Sequence, residues 1–142
     1  CDVGVVMADA KIRFSEVRLG LTPATISPYV IRAIGPKWSR ALFASGEGFD
    51  GNFAYHMGLA QYVVANMEEM TQIEEHLAKL AFATAPGAVA DAKQLVDEVT
   101  GREIDHGLAV HTAKAIAKRR VSEEGREGLA AFLERRKPSW AE

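Results

Sequence analysis

Glu16 is a residue whose place in the chain could do chemistry, although a glutamate in a loop is by itself more often an ordinary solvated side chain. It lies in Phe14-Ser15-Glu16-Val17-Arg18-Leu19-Gly20-Leu21-Thr22-Pro23-Ala24, just after the apolar run Val3 to Met7. There a buried strand gives way to a loop bounded by glycine and proline. Such a turn aims a side chain into a cleft while rigid backbone holds it, and what a carboxyl offers there is general acid–base catalysis. The other reactive side chains carry less. His106 and His111 are five residues apart, whereas pairs that grip a metal from one helix face are three or four apart. Together with His56 and His76 they are expected on partly exposed faces, and no metal is expected. Cys1 would act as a nucleophile only beside a base that depressed its pKa, and the sequence provides none. Ser15, Ser27 and Ser45 sit in no Gly-x-Ser-x-Gly elbow, and there is no phosphate-binding loop. Lys118-Arg119-Arg120 and Arg135-Arg136-Lys137 lie among acids and read as solvated helix faces, with a phosphate contact as the sharper alternative.

The elements that must position these groups follow from local signals. Val3 to Met7 is rich in β-branched residues and reads as a buried strand, with Ile12 to Phe14 a second short extended piece. Ser27-Pro28 reads as N-cap and first helical position of a helix that Gly35-Pro36 stops. Trp38 to Ala44 reads as another helix, ended by Ser45-Gly46-Glu47-Gly48. Asp50 starts a short helix through Met57 with Gly58 as its cap, and Tyr62 to Val64 is a brief strand. From Met67 the pattern changes: Met70, Ile73, Leu77 and Leu80 recur at helical spacing, a stripe that reads as core. Pro86-Gly87 breaks that helix, Val89 to Val99 and Ile104 to Val121 form two more, and Ser122 caps a last one through Arg136. The first third is therefore mixed strand and loop and the rest helical. No internal repeat or low-complexity linker occurs, and the halves read as too short for independent cores.

Composition bounds the class. With 142 residues, 48% of them hydrophobic, the chain can bury a core, and a net charge of −2 argues against nucleic acid as a partner. The apolar runs are far short of a membrane span, and one cysteine excludes an internal disulfide. These features lead us to expect a soluble, cytoplasmic protein with no membrane partner. The chain opens on Cys1 and enters a strand-like run at once, so further sequence upstream is expected.

The segment from Phe14 to Gly35 resembles the central segment of the crotonase (enoyl-CoA hydratase/isomerase) superfamily. Gly46-Glu47-Gly48-Phe49-Asp50 with Ala54-Tyr55-His56-Met57-Gly58-Leu59 is similar to a second family segment, and Phe132-Leu133-Glu134-Arg135-Arg136-Lys137-Pro138 to its closing signature. The resemblance covers essentially the whole chain and corresponds to roughly the C-terminal half of a family member. It implies an α/β fold: the C-terminal part of a crotonase-type ββα superhelix at 1–65, then a helical trimerisation and CoA-proximal region at 66–142. It implies an enoyl-CoA hydratase, a lyase adding water syn across the double bond of an acyl-CoA. In such a reaction the thioester oxygen is stabilised as charge builds on it, one group deprotonates the attacking water, and another delivers a proton to the α-carbon. By resemblance Glu16 is the proton donor, and the backbone N–H of Ala24, after Pro23, stands where relatives help hold the catalytic water. The second glutamate and the oxyanion-hole N–H groups precede the positions matching Cys1-Asp2. Phe132 and Arg135 become candidates for adenine or phosphate contact with CoA. No cofactor beyond the CoA carried by the substrate is implied, and a homo-oligomer, trimer or hexamer, is expected.

One departure from the family pattern narrows the substrate. Short-chain hydratases carry a glycine-rich loop after the position of Pro23, whereas here it runs Pro23-Ala24-Thr25-Ile26-Ser27-Pro28-Tyr29-Val30. That version is similar to methylglutaconyl-CoA and isohexenylglutaconyl-CoA hydratases, which serve leucine and acyclic terpene catabolism. Two alternatives stay open: an enoyl-CoA isomerase of the same superfamily, and a non-catalytic half-crotonase subunit.

Overall fold

A computed structural model describes residues 1–141. They fold as two compact units, one over Cys1–Glu74 and one from Glu75 onward. The division lies beyond residue 65, inside a helix.

The first unit opens with β1 (Val5–Met7), which pairs in parallel with β4 (Tyr62–Val64) in the register Val5–Tyr62, Val6–Val63, Met7–Val64. The Gln61 side chain accepts from Gly4 N–H at 2.7 Å, and Ala8 N–H donates to Val64 C=O at 2.8 Å, which finishes the ladder at both ends. A two-stranded sheet is not stable alone. This one is held from one side by α2 (Gly51–His56), whose first turn sits on the turn after β1: Gly51 N–H donates to Ala8 C=O at 3.1 Å. β2 (Ile12–Arg13) pairs antiparallel with β3 (Gly48–Phe49), a strand where only a glycine-rich stop was expected. The core gathers Phe14, Val30, Ile34, Leu42, Ala54 and Met57. Phe14 lies edge-on to Phe43 with centroids 5.3 Å apart and leans on Phe49 at 5.8 Å.

α1 (Ser27–Ser45) departs from the sequence reading at its start. Ile26, not Ser27, occupies the cap position, and Ser27 Oγ donates to Ala24 C=O at 2.9 Å instead of capping. Gly35-Pro36 interrupts the helix, as the sequence reading expected, and two helical stretches meet there across a kink. Gly35 takes φ 74°, open to glycine without penalty, and helical bonding resumes past Pro36. Buried Ser39 ties the kink by donating to Gly35 C=O at 2.8 Å. Asp50 does cap α2 as its position implied, accepting from Phe53 N–H at 2.8 Å. α3 (Met67–Phe82) follows β4, and none of its residues is buried; Met70, Ile73 and Leu77 are half-covered and Leu80 is 50% exposed. The stripe read as core is therefore only a partly covered face.

The second unit is helical. α4 (Pro86–Val99) begins at Pro86 itself, so the residue that breaks one helix opens the next. α5 (His106–Arg120) starts two residues later than Ile104 because Asp105 caps it, accepting from Leu108 N–H at 2.7 Å. α6 (Glu123–Glu134) is capped by Ser122, and it ends short of Arg136 because Arg135 turns left-handed at φ 56°. Gly125, in its first turn, approaches Arg119 C=O so closely that a Cβ there would lie 2.3 Å from the oxygen.

Candidate active site

Glu16 opens a four-residue 3-10 turn, Glu16–Leu19. Arg18 N–H donates to Ser15 C=O at 3.0 Å, and Leu21 N–H closes on Glu16 C=O at 3.0 Å. Gly20 leaves the turn at φ 72°. Two positions before Glu16, Phe14 is locked in the core; two after it, Arg18 Nε donates to the C=O of Gly46 at 3.0 Å. The carboxylate is thus carried on a short segment fastened on both sides. Its Oε2 is buried, and no protein donor reaches it. A buried carboxylate oxygen left unpaired costs on the order of 1–3 kcal/mol, so native folds keep such groups mainly where they serve a purpose.

Pro23 and Ala24 follow in the same loop, Pro23 buried and Ala24 exposed. Both line a cleft of about 560 Å³ together with Val17, Ile31, Arg40 and Phe43. Glu16 itself is not among its lining residues. Ala24 N–H, which the resemblance alone would place beside a catalytic water, donates at 2.8 Å to Thr22 C=O. That donor must be shared or released before it can hold a water.

Phe132 and Arg135 belong to the second unit, whereas the loop that carries Glu16, Pro23 and Ala24 belongs to the first. Phe132 is 80% exposed at the end of α6, and Arg135 occupies the left-handed cap after it. The basic clusters are not simply solvated faces. Arg119 reaches Asp91 at 3.1 Å and also pairs with Glu124, whose carboxylate accepts from Gly87 and Ala88 N–H, each at 3.0 Å, at the start of α4. Arg136 grips both carboxylate oxygens of Glu127, at 2.6 and 2.9 Å, and Glu127 also accepts from Ser139 N–H. His111 bonds Glu98 at 2.8 Å and holds that carboxyl below the usual range. No group of three or more His, Cys, Asp and Glu among the described residues could hold a metal. No described helix is long and apolar enough to cross a membrane.

The Glu127 clamp makes the C-terminal segment acid-sensitive. The Arg136 guanidinium pulls the Glu127 carboxyl from 4.5 down to about 2. A depressed folded-state pKa adds stability that is complete above the unfolded value and is lost as pH falls through the folded one. The clamp should hold above about pH 4.5 and loosen toward pH 2. Trp140 reports on it, because its indole lies over Gly128, 3.1 Å from where a Cβ would stand. With Trp38 replaced by Phe, Trp140 emission should titrate in that window, and Glu127→Gln should abolish the transition. A profile identical in the Gln variant would mean the clamp does not hold the segment.

The model of the enoyl-CoA hydratase/isomerase family matches residues 1–142. The chain belongs to that family. Its fold is the crotonase fold: a crotonase homologue from Legionella pneumophila superposes with a TM-score of 0.91 at 44% identity, covering 99% of this chain and 54% of that one. Pseudomonas aeruginosa AtuE superposes with a TM-score of 0.90 at 33% identity, over 99% of this chain and 54% of its own. Among curated relatives, the crotonyl-CoA hydratase of Syntrophomonas wolfei is 26% identical over 141 residues, 99% of this chain and 54% of the relative. The chain thus spans about half the length of the enoyl-CoA hydratases it matches.

The sequence reading named Glu16, Pro23 and Ala24, which lie in one segment of the first unit, and it did not foresee the bond from Arg18 to Gly46. Nothing in the spacing ties residue 18 to residue 46, and no sequence signal could have found their bond.

Proposed function

We propose that this chain is the C-terminal part of an enoyl-CoA hydratase, with Glu16 delivering the proton to the α-carbon as water adds syn to the double bond. The observation that carries this reading is the buried, unpaired Oε2 of Glu16 on a turn fastened at both ends. An oxygen that no protein group satisfies is free to exchange a proton with substrate or a bound water. In this reading the second glutamate and the oxyanion-hole N–H groups come from sequence matching the other half of the relatives, and they stabilise the enolate-like charge while Glu16 supplies the proton. The loop from Pro23 to Val30 favours a branched glutaconyl thioester, and Ala24 N–H helps orient the water once released from Thr22. Phe132 and Arg135, in a helical C-terminal region serving assembly and CoA contact, meet the adenine or phosphates of CoA in a trimer or hexamer. No further cofactor is needed, and the setting is cytoplasmic.

The test is conversion of crotonyl-CoA and methylglutaconyl-CoA by the native protein in deuterium oxide, read by mass. Hydration gives a product that has gained one heavy water, with one non-exchangeable deuterium on the α-carbon. Migration of the double bond with no water gained would make the protein an isomerase of the same family. Thioester binding without conversion would make it a non-catalytic subunit.

A further inference from the structure

We propose that Arg18 is a positioning residue for Glu16, its guanidinium fixing the 3-10 turn against the C-terminal end of α1. This rests on the reading of Glu16 as proton donor. The turn Glu16–Leu19 has little to hold it in place by itself. None of its residues is buried, and Ser15 contributes no side-chain cap. A 3-10 segment of this length closes few bonds of its own, and those have poorer geometry than α-helical ones. On the upstream side Phe14 is fixed by aromatic packing. On the downstream side the anchor is polar: Arg18 Nε donates to Gly46 C=O at 3.0 Å.

That contact has the form of a built joint. Gly46 caps α1 with φ 58°, and a Cβ there would lie 3.1 Å from Arg18 Nε and 3.2 Å from both Arg18 Cγ and Val17 Cγ2. The two residues after Glu16 therefore both press on a position that has to be glycine. α1 has no basic residue in its own last turn. Arg18 supplies from a distant segment the cation that a helix C-terminus favours, through a charge-assisted bond to a terminal carbonyl. A rigid helix end is thereby coupled to a turn that would otherwise drift, and a drift of an ångström at a reacting group is costly to catalysis.

The test uses the native protein with Arg18→Ala and Arg18→Lys, crotonyl-CoA as the probe, and amide exchange at Leu21, whose N–H closes the turn on Glu16. Arg18→Ala should lower kcat on the order of tenfold with KM changed less than about twofold. Exchange at Leu21 should quicken by about tenfold. Lys should recover part of both effects, because it still brings a cation to the helix end without the planar fork. If Arg18→Ala keeps both kcat and Leu21 exchange while Glu16→Gln is inactive, the role of Arg18 is overturned and that of Glu16 stands. A fall in kcat with a matching loss of thermal stability that Lys does not restore would reduce Arg18 to general structure, and would also overturn the proposal. If Glu16→Gln turns over normally, the reading of Glu16 fails, and exchange at Leu21 alone decides whether Arg18 holds the turn.

Discussion

Glu16→Gln should lower turnover of crotonyl-CoA by between about 10² and 10⁴, the range a positioned general acid contributes. The amide keeps the shape of the side chain and cannot donate a proton to carbon. The native Oε2 accepts no protein hydrogen bond, so the substitution breaks none there. Stability should therefore change by less than about 1 kcal/mol. That separation gives the experiment its force: a steady thermal midpoint with collapsed kcat assigns the loss to proton transfer. KM should stay near its native value, because the lost interaction belongs to the transition state. An unchanged kcat would remove Glu16 from the mechanism, whatever the resemblance of its surroundings.

The largest effect on stability is expected from Gly51→Ala. Gly51 is buried at the first position of α2, and a Cβ there would lie 1.9 Å from the carbonyl oxygen of Met7 and 2.8 Å from its carbon. Those atoms belong to β1 and cannot swing aside as a side-chain tip would. The helix must lift off the strand, and overpacking of this kind costs about 3 kcal/mol or more. Gly58→Ala provides the comparison. It has φ 82° and nothing within 4 Å of an added Cβ, so only backbone strain of roughly 1–2 kcal/mol is at stake there. Denaturant unfolding of the two variants should rank Gly51→Ala as clearly the more damaging. Equal losses would mean that α2 is not seated on β1 as described. Because β1 runs directly into the segment that leads to Glu16, Gly51→Ala should also depress activity in whatever fraction stays folded.

How much of this was legible in the sequence depends on the range over which each signal acts. Asp50, Ser122 and the Tyr62–Val64 strand were placed correctly, because a cap or a β-branched run acts within one turn of chain. Ser27 does not cap because both its hydroxyl and its N–H donate backward, to Ala24 C=O and Pro23 C=O, in the turn that leads into the helix. Gly35-Pro36 was legible for the same reason as the caps: Gly35 leaves helical geometry at φ 74° and ψ 167°, and Pro36 opens a second helical stretch. In α3 periodicity identified the helix correctly. It could not say that the apolar face would be only half-covered, since periodicity shows that a stripe exists and not what meets it.

The same boundary runs through the site. Residue types alone brought out Glu16 on its loop, the Pro23-Ala24 turn beside it, and a chain of strand, loop and helices resembling one family. Those are properties of contiguous segments. Tertiary structure alone decided that β1 pairs with β4, that Gly48–Phe49 closes against β2, and that Arg119 and Arg136 turn to acids of their own unit. It also decided that Arg18 reaches Gly46, beyond the far end of α1. Each is a contact whose partner is chosen by where the rest of the fold brings the chain, and a partner several turns of chain away or more leaves no mark in local spacing.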